Sequence, residues 1–114
     1  MITEFKIFEN YTQFDDETEL EEFDGIDLEE LKERSMQFIK WRRMTIKIPD
    51  GAKHIPIAKI KKIVVRNNGT IYIICIPWET ENGQTYYYEV FDENVYYKFI
   101  QDPGLYIATT KYNL

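Results

Sequence analysis

Apolar residues recur at helical spacing in one segment of the chain, residues 27–42. Asp27 stands at its start as an N-cap, and Glu30 follows three positions later, as in a capping box. Glu30 and Arg34 are four positions apart, in the order that favours a salt bridge on a helix. The pattern therefore predicts a helix over 27–42. Its core-facing stripe comprises Leu28, Leu31, Ser35, Phe38 and Ile39.

Patterns with a period of two predict strands elsewhere in the chain. The strands are expected at residues 2–9, 44–49, 54–66 (with a tight corner at Ala58 and Lys59), 70–78, 85–91 and 105–112. The segment 70–78 is apolar on both faces, which predicts a central strand. Residues 67–69, Asn-Asn-Gly, predict a hairpin turn because Asn and Gly tolerate positive φ.

Two further segments complete the predicted elements. Residues 92–101 predict a short helix with Asp92 as its cap, ending before Pro103. Residues 10–26 predict a polar connection with a helical turn around 17–23 that Gly25 closes. The predicted fold class is α+β: a mostly antiparallel sheet of five or six strands packed against one main helix, with a short second helix. The residues expected in the core include Leu31, Phe38, Ile39, Ile63, Ile73 and Val90.

Length and composition predict a single domain, residues 1–114. Apolar residues make up 44% and charged residues 30% of the chain, which is typical of a globular protein. No apolar run approaches the ~20 residues of a membrane span, and the first residues lack a signal-peptide pattern. We therefore expect no membrane partner and a cytoplasmic location. The single cysteine, Cys75, favours the same reducing compartment.

The balance of residue types also indicates a source. The chain has sixteen Ile and nine Tyr but only three Ala and five Gly. Ile and Tyr have AT-rich codons and Ala and Gly GC-rich ones, so this composition predicts an AT-rich genome, such as that of a low-GC bacterium, its phage or an archaeal virus. For a viral protein the expected compartment is the host cytoplasm.

Charge is distributed unevenly, although the formal net charge is only −6. Residues 1–33 carry thirteen acids and two bases, a net −11, whereas residues 34–66 carry ten bases and one acid, a net +9. Residues 67–114 carry six acids and two bases, a net −4. The acids concentrate in segment 15–33, which holds eleven carboxylates. The acids of the helix start are explained by the helix dipole, but those that precede the helix need another reason.

Few residues of this chain suggest catalysis. His54 is the single histidine and has no evident nucleophile beside it, and Cys75 lies in an apolar run typical of a buried thiol. One His and one Cys cannot form a zinc site. The acids from Asp15 to Glu19 have the spacing of a calcium loop, but Leu20 stands where that loop requires Gly. We expect no metal and no cofactor.

The first functional hypothesis is a non-catalytic interaction protein that binds a basic site on a partner protein. Carboxylates along segment 15–33 would present charge to Lys and Arg side chains much as phosphates do. Inhibition of a host nuclease or defence complex is one such function. Its predicted partner-binding residues are Asp15, Asp16, Glu17, Glu19, Glu21, Glu22 and Phe23.

Two alternatives stay open, a nucleic-acid-binding or transcription-related module and a carboxylate-dependent enzyme. Bases interleaved with an aromatic residue in segment 40–66 favour the first of these, although the acidic net charge opposes it. The predicted nucleic-acid-binding residues are Lys40, Trp41, Arg42, Arg43, Lys59, Lys61 and Lys62. The acidic run could instead pair internally with Lys59, Lys61 and Lys62. Strands rich in Tyr and Ile also predict a homodimer.

Overall fold

The computed structural model describes residues 17–48, 57–77 and 86–112. The elements in chain order are β1 (Glu17–Glu19), β2 (Glu22–Phe23), β3 (Ile26–Asp27), α1 (Leu28–Arg42), β4 (Ile57–Arg66), β5 (Ile71–Pro77), β6 (Tyr86–Val90), α2 (Glu93–Gln101) and α3 (Pro103–Tyr112). The predicted α+β class is confirmed. The described strands form a four-stranded antiparallel sheet and a separate two-stranded sheet.

The four-stranded sheet has the order β1-β4-β5-β6. A tight turn joins β4 to β5 at the predicted Asn-Asn-Gly position, where Gly69 has a φ of 93°. Strand β5 is central, as predicted, because it pairs with β4 on one side and β6 on the other. The segment predicted as a strand at 44–49 contributes one antiparallel bridge, between Lys47 and Tyr87, beside the outer edge of β6.

Strand β4 is continuous, so the predicted corner at Ala58 and Lys59 is wrong. Its register against β5 shifts between Ile57 and Lys59 and again between Ile60 and Lys62. Each shift places one extra residue in β4, which is the signature of a β-bulge. The irregular spacing of Ile57, Ile60 and Ile63 is thus explained by two bulges within one strand.

Helix α1 begins as its sequence predicts. The backbone N–H of Glu30 donates to Asp27 Oδ1 at 3.0 Å, which satisfies one of the free amides of the first turn. The Glu30 carboxylate accepts from Arg34 Nε at 2.8 Å. The helix ends at Arg43, which has a left-handed conformation and whose N–H donates to Ile39 and Lys40 carbonyls.

The prediction of a helical turn around 17–23 is wrong. Residues Glu17–Glu19 form β1 and pair with Val64–Arg66, and the next residues form the β2–β3 hairpin. Its turn is Asp24-Gly25, with φ values of 53° and 82°, a conformation that Asp and Gly tolerate. Pairing with a distant strand outweighs the local tendency to form a turn of helix.

The predicted strand at 105–112 is also wrong, because these residues belong to α3. Pro103 suits the first turn of a helix, where an N–H has no partner to lose. The Asp102 side chain accepts from the N–H of Leu105 at 3.1 Å, as an N-cap does. Helix α2 lies where predicted, with Asp92 accepting from the N–H of Val95 at 3.3 Å. The predicted strand at 2–9 lies outside the described residues.

The core lies between one face of the sheet and the helices α1 and α2. All residues named for the core above are at most 5% exposed, which confirms that prediction. Burying one such side chain stabilises the fold by about 1.5–3 kcal/mol before the entropy of ordering it is subtracted. Of the predicted helix stripe, Leu28 alone is only half-buried. Aromatic rings join the helices, with Phe38 edge-on to both Tyr96 and Phe99.

Candidate acidic interaction surface

The β2–β3 hairpin carries part of the acidic run and is fixed to α2. The Phe23 ring stacks on the Tyr97 ring with centroids 4.7 Å apart and an interplanar angle of 21°. Gln101 Nε2 donates to Asp24 Oδ2 at 3.3 Å. Burial raises the pKa of Tyr97, and the nearby Glu93 carboxylate raises it further, so this tyrosine stays neutral. The hairpin therefore holds its carboxylates on a defined framework.

Glu17 and Glu19 look equivalent in the sequence, but they differ in burial and in cross-strand partner. Glu17 lies opposite Arg66 in the β1–β4 pair, a cross-strand position that suits opposite charges. Its Oε2 atom is buried. Glu19 lies opposite Val64 and is exposed. Glu17 is therefore half-buried opposite Arg66, whereas Glu19 is exposed.

Seven exposed carboxylates follow one another from β1 to the second turn of α1. We call this set the acidic surface; it comprises Glu19, Glu21, Glu22, Asp24, Asp27, Glu29 and Glu33. Its one salt bridge within the described residues joins Glu29 to Lys32 at the long distance of 4.0 Å. Glu30 is excluded from the set because it is half-buried and paired with Arg34. Within the described residues, most of this charge is thus uncompensated by neighbouring side chains.

The predicted partner-binding residues divide into three groups. Glu19, Glu21 and Glu22 belong to the acidic surface, and Asp15 and Asp16 lie outside the described residues. Glu17 and Phe23 instead hold the framework, one in the sheet and one against Tyr97. The acids of the hairpin turn and of α1 extend the surface further. The exposure of Asp27 and Glu29 could have been inferred from the sequence, because an N-cap and the first turn of a helix are usually exposed.

The lysines of β4 are not paired with this surface. Within the described parts of the chain, Lys59, Lys61 and Lys62 form no salt bridge to an acid. Strand β1 meets β4 at Val64–Arg66, beyond these three lysines. The described geometry thus lends no support to internal pairing of the acidic run with them.

The predicted nucleic-acid-binding residues occur in two separate places. Lys40, Arg42 and Arg43 are exposed at the carboxyl end of α1, whereas Lys59 lies beside its first half. Trp41 is half-buried, and its ring packs on Phe99 and Tyr106 with centroids 5.2 and 5.3 Å away.

Cation–π contacts also involve the bases at the end of α1. The Arg42 guanidinium lies 5.9 Å from the Trp41 ring and 5.8 Å from the Phe38 ring. Trp41 is thereby engaged in the aromatic cluster, which leaves less of its face for stacking on a base.

A groove runs between the first half of α1 and β4. We call it the α1–β4 groove; it has a volume of about 710 Å³ and is open to solvent. Four carboxylates and two lysines contribute to its walls, with two apolar residues between them. Its lining comprises Asp27, Glu29, Glu30, Lys32, Glu33, Met36, Lys59 and Ile60.

The described parts of the chain offer neither an exposed thiol nor a cluster of metal ligands. The Cys75 thiol is buried, and burial raises its pKa from 9.0 to about 12, so it stays protonated at neutral pH. A search of the described residues finds no group of three or more His, Cys, Asp or Glu side chains placed to hold a metal ion. His54 lies outside the described residues. None of the helices in the described residues is long and apolar enough to cross a membrane.

Comparison of the chain with protein-family models, with curated proteins and with solved structures finds no match. The fold class alone does not define a function, because one architecture serves many activities. The acidic surface and the α1–β4 groove are therefore the two features of the structure that bear on function.

Proposed function

We propose that this protein is a non-catalytic interaction protein that binds a basic site on a partner protein through its acidic segment, residues 15–33. The exposed, largely unpaired carboxylates of the acidic surface are the observation that supports this proposal. Fixed charges of one sign accelerate association with an oppositely charged site and favour it over other sites.

Repulsion within the acidic surface also favours a basic partner. Glu29 and Glu33 are four positions apart on α1, and like charges at this spacing cost about 0.2–0.5 kcal/mol. A partner that places Lys or Arg beside them removes this cost on binding. Part of the binding free energy would then come from relief of repulsion in the free protein.

The proposal includes a biological setting. We propose that the protein is encoded by a phage or virus, acts in the host cytoplasm, and inhibits a host nuclease or defence complex by presenting carboxylates in place of phosphates. The abundance of residue types that have AT-rich codons and the run of eleven carboxylates in residues 15–33 support this setting. A nuclease cleft is a basic groove of the kind that such a surface complements.

A pair of double variants tests the proposal. Glu21→Gln with Glu22→Gln removes two charges from the acidic surface, and Glu89→Gln with Glu93→Gln removes two charges outside it. Both double variants change the net charge equally, so they share any effect of overall charge. The assay is capture from the lysate of a host cell, followed by association kinetics of each variant with the captured protein at two salt concentrations.

The expected result is slower association and weaker salt dependence for the variant at Glu21 and Glu22 only. Equal slowing by both pairs would attribute the effect to net charge and would contradict a defined binding surface. Unchanged kinetics in both would exclude these two acids from the interface.

The nucleic-acid-binding alternative receives less support from the described residues. Its bases are divided between the end of α1 and β4, and Trp41 packs in the aromatic cluster. Titration of the protein with single-stranded and double-stranded oligonucleotides at low salt tests it directly. Binding that weakens steeply with salt would favour this alternative.

A further inference from the structure

Strand β4 has an edge that no other described strand covers along its first half. On one side β4 pairs with β5 from Ile57 onward. On the other side β1 pairs only with Val64–Arg66, and the N–H of Leu20 donates to the carbonyl of Ile63 at 2.7 Å. Within the described parts of the chain, the backbone groups of Lys59–Lys62 on this side have no hydrogen-bond partner.

The α1–β4 groove lies directly beside this edge. Ile60 lines the groove from β4, and Met36 lines it from α1. Helix α1 covers the sheet face on which Ile60 and Ile63 are buried. A strand added to the edge of β4 would therefore have one face toward the carboxylates of α1 and its other face toward the opposite side of the sheet.

We propose that the edge of β4 binds an extended segment of a partner protein as an added strand within the α1–β4 groove. This inference rests on the proposed function and specifies the class of partner segment. Strand addition provides affinity through backbone hydrogen bonds and specificity through alternate side chains. The segment has Lys or Arg at alternate positions, which face the acids of α1.

Spacing and register support this alternation. Glu29 and Glu33 are one helical step of four residues apart, about 6 Å along the axis, and alternate residues of a strand are about 6.8 Å apart. The spacing of successive side chains on one strand face therefore matches the spacing of the two carboxylates. Lys62 pairs with Ile74, which belongs to the cluster on the sheet face away from α1, so the remaining positions of the segment are acidic or neutral polar.

A second copy of this chain does not fit the edge. Antiparallel pairing of two β4 edges would bring Lys59, Lys61 and Lys62 of both copies together, and like charges across a strand pair are destabilising. Lysines and bulges on an edge strand are also devices that oppose self-pairing. These features oppose a second copy and favour a segment of a different protein as the occupant.

Two short synthetic peptides of identical composition test this inference. One alternates Lys with Thr, and the other has the same Lys and Thr residues in two blocks, so both carry equal charge. Each peptide is titrated into the full-length, isotope-labelled protein at low salt, and amide chemical shifts and hydrogen exchange are recorded. A matched pair of variants is titrated as well: Glu29→Gln with Glu33→Gln in the groove, and Glu89→Gln with Glu93→Gln outside it.

We expect the alternating peptide to bind about tenfold more tightly than the blocked peptide. Its shifts should concentrate in residues 59–62 and 27–36, and exchange of the edge amides should slow. The variant at Glu29 and Glu33 should weaken binding, and the control variant should not.

The possible failures are distinguishable. Equal binding of both peptides, with shifts confined to Glu19–Asp24, would overturn strand addition and leave the proposed function standing. No binding of either peptide at low salt would overturn the proposed function and this inference together. Self-association of the unliganded protein with slowed exchange at residues 59–62 would identify the occupant as a second copy and overturn the proposal of a different protein.

Discussion

The hydroxyl groups of Ser35 and Tyr96 lie 2.6 Å apart in the core, where both residues are 0% exposed. Ser35 is on α1 and Tyr96 on α2, so this hydrogen bond joins the two helices that cover the sheet. Burial raises the pKa of the Tyr96 phenol, and the hydrogen bond from Ser35 offsets this only in part. The pair is a fully buried polar contact between α1 and α2.

Ser35→Ala should destabilise the protein by about 1–3 kcal/mol, because it leaves the Tyr96 hydroxyl buried without its partner. Tyr96→Phe should cost less, since the Ser35 hydroxyl can turn to a carbonyl of its own helix. Urea unfolding of both single variants and the double variant measures the coupling. A double variant whose loss equals the sum of the single losses would show that the two hydroxyls do not interact.

Arg34→Met should destabilise the contact between α1 and α2. Arg34 Nη1 donates to the carbonyls of Ile100 and Gln101 at 2.6 and 2.9 Å, at the carboxyl end of α2. Hydrogen bonds to a charged group contribute about 1.5–3 kcal/mol, and we expect a loss of that size in chemical unfolding. Glu30→Gln is the control, because it removes the partly exposed ion pair and leaves both carbonyl bonds, so it should cost less than about 1 kcal/mol. Equal losses in the two variants would contradict this assignment.

Stability should fall as the pH rises above 9. Burial raises the pKa of the Cys75 thiol from 9.0 to about 12. Burial also raises the pKa of the Tyr87 phenol from 10.0 to about 12, with smaller contributions from Glu89 and Tyr72. As the pH rises, the unfolded chain therefore releases these two protons before the folded chain does. The stability that the two neutral groups give the folded state is complete below pH 9 and is lost progressively up to about pH 12. Melting temperatures measured in steps from pH 8 to pH 12 test this window.

Cys75→Ala serves as the matched variant for that measurement, because it removes the group with the lower ordinary pKa. The onset of destabilisation should then move upward, toward the ordinary value of 10.0 for tyrosine. An onset that does not move would show that the thiol contributes nothing to the alkaline transition.

Replacing the lysines of the β4 edge should cause self-association. The triple variant Lys59→Gln, Lys61→Gln and Lys62→Gln removes the charges that oppose pairing of two edges. Sedimentation velocity over a range of protein concentrations should show association of this variant. The control is Lys40→Gln, Lys98→Gln and Lys111→Gln, which removes three exposed charges from helices. Association of the control to the same extent would attribute the effect to net charge instead of the edge.

Elements defined by short-range signals were predictable from the sequence. Asp27 and Asp92 cap α1 and α2 as their positions predict, and residues 67–69 form the predicted turn. In each case neighbours within a few positions supply the determining hydrogen bond or backbone preference.

Elements defined by distant contacts were not predictable. Strand β1 depends on Val64–Arg66, which are far away in the chain. Helix α3 is rich in residues that favour strands, and packing of Tyr106 on Trp41 and Phe99 outweighs that preference. The Asp102-Pro103 pair was a valid helix-start signal that the strand pattern obscured.

The negative charge of the candidate site could be predicted from the sequence, but the arrangement of its residues could not. The density of acids in residues 15–33 indicated an acidic surface. The different cross-strand partners of Glu17 and Glu19, Arg66 and Val64, follow from the register of β1 on β4, which no local pattern defines. Among the described residues, the uncovered edge of β4 likewise follows from the shortness of β1.

The pairing of β1 with the end of β4 has a consequence for how the chain folds as it is synthesised. Residues 17–19 leave the ribosome long before residues 64–66, whereas β4, β5 and β6 are consecutive neighbours. Closing the longer loop costs more entropy, so we expect the meander to form first and β1 to dock afterwards. Until then an unpaired segment is exposed to other chains. We expect its dense negative charge to keep this unpaired segment hydrated and to repel identical segments on neighbouring chains, which opposes aggregation of the nascent protein.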